Sequence, residues 1–171
     1  MKKAILLIAL MVISLTDGMA QTMVIDSTQQ AYNRPSVWLE IRRLSEVGAN
    51  DTSNSLELRK VFTFKVDALD YMFQRSLEQM PDSSSDILEF QAYAMYDFVN
   101  LYIKNLGKAE KEKQKKKIEA DFIEASLKNP RFVDQDTELT LAYFNRNDFL
   151  TRFSLNTDWE KALADIKKKY K

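Results

Sequence analysis

The sequence predicts an all-α protein: an irregular helical bundle of about five to six helices around a buried central helix, preceded by a cleaved signal peptide. Three observations carry this reading. Apolar residues recur at helical spacing through most of the chain. Only 3 Gly and 3 Pro interrupt 171 residues, too few for a turn-rich β-sandwich or a glycine-lined phosphate loop. Residues 86–106 are apolar over most of a helix circumference, a pattern that belongs to a helix surrounded by neighbours.

The first twenty residues read as a leader rather than as fold. Lys2 and Lys3 form a positive start, Ala4 to Leu15 is an apolar run broken only by Ser14, and Gly18-Met19-Ala20 offers small residues before Gln21. The run is shorter than the ~20 residues of a membrane-spanning helix. Its Met-Lys-Lys start and brevity resemble bacterial Sec signals, and the absence of Cys excludes the lipid-anchored variant. The expectation is a secretory signal peptide over residues 1–20 and an exported protein, periplasmic or secreted. Its removal leaves 23 basic against 24 acidic residues. A chain so close to neutral has no global field to draw in nucleic acid. Residues 21–35 show little periodicity and read as a surface arm or a disordered segment, and residues 36–171 as a single helical domain.

Within that domain Ser36 stands where it can cap a short helix carrying Val37, Trp38, Ile41, Leu44 and Val47 and ending at Gly48. After a polar loop, Leu58, Phe62, Val66, Leu69, Phe73, Leu77 and Met80 form an apolar stripe that Pro81 ends. The central helix follows. Its narrow polar stripe is Asp86, Glu89, Tyr93, Asp97, Asn100 and Lys104, with Ile87, Leu88, Phe90, Met95, Phe98, Val99, Leu101, Ile103 and Leu106 around the rest. The stripe predicts exposure for Asn100 and Tyr93 and a core position for Phe98. Beyond Gly107 a charged stretch leads into Ile118, Phe122 and Ala125, and Asn129-Pro130 stops that helix. Continuity through Gly107 stays open, since one glycine costs only ~1 kcal/mol. Residues 131–156 are read as helix, with Leu139, Tyr143, Leu150 and Phe153 on one face, because a lone strand would have no partner. Thr157-Asp158-Trp159-Glu160 reads as a capping box opening a last helix with Trp159, Leu163, Ile166 and Tyr170 on its stripe.

Composition excludes several chemistries. Without His there is no imidazole base or Ser-His-Asp triad, and without His and Cys the usual zinc sites and thiol nucleophiles are gone. Asp134-Gln135-Asp136-Thr137-Glu138 opens like a calcium loop, but Leu139 and Asn145 stand where Gly and Glu are required. No cofactor and no metal is expected. The Asn50-Asp51-Thr52 sequon is read as chance behind a bacterial-type leader. Paired carboxylates could hydrolyse glycosides without histidine, with Glu119, Asp121, Glu124, Asp134 and Asp136 as candidates, though nothing in the sequence singles out a pair. The aromatic residues fall mostly on apolar stripes, as core residues do.

The one concentrated charge is residues 108–117, where Lys108, Lys111, Lys113, Lys115, Lys116 and Lys117 against two glutamates give a net +4. Read as one helix, it puts Lys108, Lys111 and Lys115 on a common face, supported by a Glu112–Lys116 pair at i, i+4. No aromatics interleave the lysines, which counts against nucleic-acid binding. A solvated helical face is the usual role of such a run, and contact with an anionic surface is its candidate function. The expected function is therefore that of an exported non-enzymatic helical protein that binds another envelope or extracellular protein. Weak attachment to an anionic membrane surface through 108–117 is the first alternative, and a carboxylate-based hydrolase the second.

Overall fold

The computed structural model describes residues 36–133 and 152–170, without the side chains of Ser83 and Ser84. Among these residues there are five α-helices and no strand: α1 Val37–Asn50, α2 Leu56–Gln79, α3 Ser84–Lys108, α4 Glu112–Lys128 and α5 Trp159–Lys169. A 3-10 turn, Pro81–Ser83, links α2 to α3. The all-helical reading holds for them. The leader, the arm over 21–35, the calcium-like run and most of 131–156 lie outside the described residues. No described helix is long and apolar enough to cross a membrane.

The buried central helix is α3, which touches all four others. Its Leu88, Ala92, Met95, Phe98, Val99, Tyr102 and Ile103 are buried. Phe98 is the hub of an aromatic core, with ring centroids 5.0 Å from Phe122, 5.2 Å from Phe153 and 5.4 Å from Trp159, all tilted or edge-on as ring quadrupoles prefer. Phe90, expected on the apolar side, is instead 62% exposed. Gly107 lies inside α3, which ends one residue later at Lys108. Residues 109–111 then separate α3 from α4, so no helix runs continuously from one to the other.

Residues expected on α3's polar stripe serve long-range roles. Glu89 Oε2 accepts from the Val37 N–H at 2.9 Å and so caps α1 from another helix. Ser36 holds the N-cap position without a side-chain hydrogen bond. Asn100 is half-buried rather than exposed and receives a hydrogen bond from Lys65. Tyr93 is exposed, as expected.

The stripes of α1 and α2 are turned from their expected phase. In α1 the buried residues are Trp38, Ile41, Ser45 and Gly48, while Leu44 and Val47 face outward. Small residues set this face. A Cβ at Gly48 would fall 2.5 to 2.8 Å from ring atoms of Phe62, so the packing of that ring leaves no room for a side chain here. Gly48 does not end the helix, which continues to Asn50. The stripe Leu58, Phe62, Val66, Leu69, Phe73, Leu77 and Met80 runs partly along α1: Phe73 stacks on Trp38 at 5.2 Å, yet it is 39% exposed and Leu77 47%. Leu58 and Leu69 of that stripe are buried as expected, and Val61, Phe64, Lys65, Ala68 and Met72 complete the deeper face of α2. A 14-residue α1 covers only part of the shallower face.

Where residues 131–133 and 152–158 are described, they are irregular rather than helical. They are held by buried polar groups. Asn156 Oδ1 accepts from the Arg131 and Phe132 N–H groups at 3.1 and 2.8 Å, and its Nδ2 donates to Phe132 O at 2.8 Å. Ser126 Oγ accepts from Ser154 N at 2.8 Å and meets Thr157 Oγ1 at 2.9 Å. Thr157 is therefore spent inward. The cap of α5 is Asp158, which accepts from Lys161 N at 3.3 Å, one residue later than the capping box predicted. Gln91 of α3 completes the joint by accepting from Trp159 N at 2.7 Å and donating to Asp158 Oδ1 at 3.2 Å. Every such bond satisfies a backbone or side-chain group that burial would otherwise penalise.

Candidate functional site

The lysine run is divided by the end of α3 and the start of α4. Lys108 is the last residue of α3, where its charge suits the helix dipole, and Lys111 is the N-cap of α4. Gln114 Oε1 accepts from the Lys111 backbone N–H at 3.3 Å. The expected common face of Lys108, Lys111 and Lys115 therefore does not form. The expected Glu112–Lys116 pair is replaced by Glu112–Lys115 at 2.7 Å. Lys111 and Lys113 are exposed, and Lys116 borders the outer face of α4.

Folding adds a partner that the local sequence cannot show. Lys108 and Lys117 border a groove of about 420 Å³ together with Lys169 at the end of α5. The amides of Asn105 and Gln114 stand on the same walls, with Ala109, Ile118 and the Tyr170 ring. Asp121 ties the site together: its carboxylate accepts from Lys117 Nζ at 2.6 Å, Lys169 Nζ at 3.0 Å and Tyr170 Oη at 2.6 Å. Burial works to raise the Asp121 pKa, but the hydrogen bonds from Lys117, Tyr170 and Lys169 outweigh it and hold the carboxyl well below its ordinary value. Burial, reinforced by the bond to Asp121, pushes the Tyr170 phenol up, so it stays protonated and keeps donating. Lys117 and Lys169 are thus paired with Asp121, and Glu124 lies 3.9 Å from Lys169, so the cationic excess of this groove rests on Lys108.

Among the described candidates, Glu119 and Glu124 share a groove on the outer face of α4, and Asp121 and Glu124 share a smaller one with Asp165. Asp121 is occupied by three donors. Glu119 and Glu124 lie along the outer face of α4 beside Ile123 and Leu127, and Glu124 also sits 3.9 Å from Lys169. Asp134 and Asp136 lie outside the described residues. Among the described residues no group of three or more acidic side chains is placed to hold a metal ion.

A second feature escaped the sequence reading altogether. Lys65, in the middle of α2, is 3% exposed and has no carboxylate at ion-pair distance among the described residues. Its Nζ lies 3.5 Å from Asn100 Oδ1, 4.5 Å from the Tyr96 ring centroid and 5.7 Å from that of Phe62. Burial pulls its pKa down from 10.5 to about 8. The clue was available: Val61, Phe64, Ala68 and Met72 make a second helical stripe, and Lys65 falls inside it. No known protein family, curated protein or solved structure matches the chain.

Proposed function

We propose that the chain is an exported, non-enzymatic binding module whose cationic groove takes an acidic segment of a partner protein in the envelope or extracellular space. The observation that carries this reading is the meeting of Lys169 with Lys108 and Lys117 around one groove, beside the amides of Asn105 and Gln114. Ammonium groups supply attraction to carboxylates, and side-chain amides supply directional donors. The groove is shallow and open, and its wall includes the buried Ile118. Ala109 is the only apolar residue in 108–117, so the run has nothing to anchor it in lipid. The export part of the proposal rests on residues 1–20.

The test is fluorescence anisotropy with a labelled Glu/Asp-rich peptide, alongside a charge-neutral peptide of the same length and vesicles of anionic phospholipid. The acidic peptide should bind, weaken steadily with salt, and lose at least about tenfold in affinity on Lys108→Glu plus Lys169→Glu, two charge reversals at ~1 kcal/mol or more each. Unchanged affinity in that double variant would remove the groove from the account. Vesicle binding that exceeds peptide binding would replace the protein partner with a membrane surface.

A further inference from the structure

The Lys65 amine is the one buried cationic side chain of the described residues that faces a cavity without an anionic partner. The cavity, about 30 Å³, lies between α2 and α3 and is lined by Leu58, Val61, Phe62, Tyr96, Asn100 and Ile103. Tyr96 is the only other titratable group on its walls. Of the three ammonium donors one reaches Asn100 Oδ1, at 3.5 Å. The nitrogen also lies over the Tyr96 and Phe62 rings, whose faces favour a cation without accepting a strong hydrogen bond. The space admits one or two small heavy atoms beside the nitrogen.

We propose that Lys65 is a reactive amine site for small uncharged aldehydes, which it captures as a Schiff base. An uncharged molecule passes apolar walls that exclude an ion. In the reaction the lone pair of the neutral amine attacks the carbonyl carbon and forms the C–N bond, while the C=O π pair moves to oxygen. A proton passes from nitrogen to that oxygen to give the carbinolamine. The nitrogen lone pair then forms C=N as the C–O bond breaks, and the oxygen leaves as water with the remaining amine proton. No oxidant or reductant is needed. The product is an uncharged imine, so the reaction replaces a buried ammonium with a group that the cavity solvates no worse than it does the neutral amine. Burial also keeps a larger share of Lys65 unprotonated at neutral pH than an ordinary lysine has. Asn100 Oδ1 lies where it can hold an amine hydrogen and orient the lone pair.

The test is timed labelling of the folded protein with dilute formaldehyde and ammonia–borane, a small uncharged hydride donor, at pH 7, which traps each imine as a methylamine, followed by peptide mass spectrometry. An amine of pKa about 8 has roughly a hundredfold or more unprotonated fraction over an ordinary lysine at that pH. Allowing for its lower basicity, Lys65 should be methylated about tenfold faster than the exposed Lys113. Its rate should level off above pH 8. In denaturant the preference should disappear. Labelling of Lys65 at or below the rate of Lys113 in the folded protein would overturn the proposal, as would a preference that survives unfolding.

Discussion

Replacing Lys65 with methionine should make the protein more stable at neutral pH. Met has similar length, fills the same space between Phe62, Tyr96 and Ile103, and carries no charge to desolvate. The native pKa of about 8 against 10.5 for an unburied lysine corresponds to about 3 kcal/mol of penalty for keeping the ammonium in the folded state, at ~1.4 kcal/mol per pH unit. The substitution also removes the hydrogen bond to Asn100 and the aromatic contact with Tyr96, worth ~1 kcal/mol together. The net gain expected at pH 7 is about 2 kcal/mol. The pH dependence identifies the cause. Below pH 8 both folded and unfolded chains hold the proton and the penalty is complete. Between 8 and 10.5 the unfolded chain still holds it while the folded chain has released it, so wild-type stability climbs relative to the variant. Above 10.5 neither holds it and the penalty is gone. Urea denaturation of both proteins at pH 7, 9 and 10.5 reads this directly, because other titrations common to the two cancel in the difference. A variant less stable than wild type at pH 7, or a difference constant across the series, would refute the reasoning.

Three further perturbations address the core, the α1–α2 contact and the groove. Phe98→Ala should cost about 3–5 kcal/mol in urea denaturation, since the ring is fully buried among Phe122, Phe153 and Trp159. Gly48→Ala should destabilise by about 1–2 kcal/mol despite its better helix propensity, because the Phe62 ring must shift to admit a methyl group; pairing it with Phe62→Leu should recover most of the loss. Asp121→Asn should lower stability at pH 7 while leaving it nearly unchanged in strong acid, as followed by thermal melts. The native carboxyl is held below its ordinary value, so its contribution is complete above the unfolded pKa near 4 and disappears as pH falls through the native one.

The elements that local spacing located well are those whose large apolar residues are surrounded on all sides. Phe98, Met95, Val99 and Ile103 on α3 and Trp159, Leu163 and Ile166 on α5 lie in the core, and a 3.6-residue period is sufficient to place them. Spacing placed Trp38, Ile41, Leu58 and Leu69 in the core correctly but misjudged Leu44, Val47, Phe73 and Leu77, because bulk is a poor guide to a close helix contact. The small Ser45, Gly48 and Ala68 are buried, while the larger Leu44, Val47 and Leu77 are left at the margin. The irregular segment 152–158 was illegible for another reason. Its conformation depends on Asn156, Thr157 and Asp158 meeting groups on Ser126, Phe132 and Gln91, and no local period encodes such contacts.

The candidate sites follow the same division. Six lysines in ten residues are conspicuous in the sequence, but a helix end and a helix start part them, and Lys169 joins Lys108 and Lys117 only through the tertiary packing of α5 against α4. Lys65 is conspicuous only after its neighbours are known to be buried. Both cases turn on a polar side chain whose partner is distant in the chain. Glu89 and Gln91 of α3, bonded to α1 and α5, and Asp121 of α4, bonded to α5 and Tyr170, show the ordinary outcome, in which such a group is satisfied across two elements. Lys65 differs because its one weak acceptor leaves most of its hydrogen-bonding capacity unmet in the middle of a helix interface. Such a buried charge gains little from its single long bond across the α2–α3 interface, and that asymmetry, rather than burial by itself, makes the cavity beside it the place to look for chemistry.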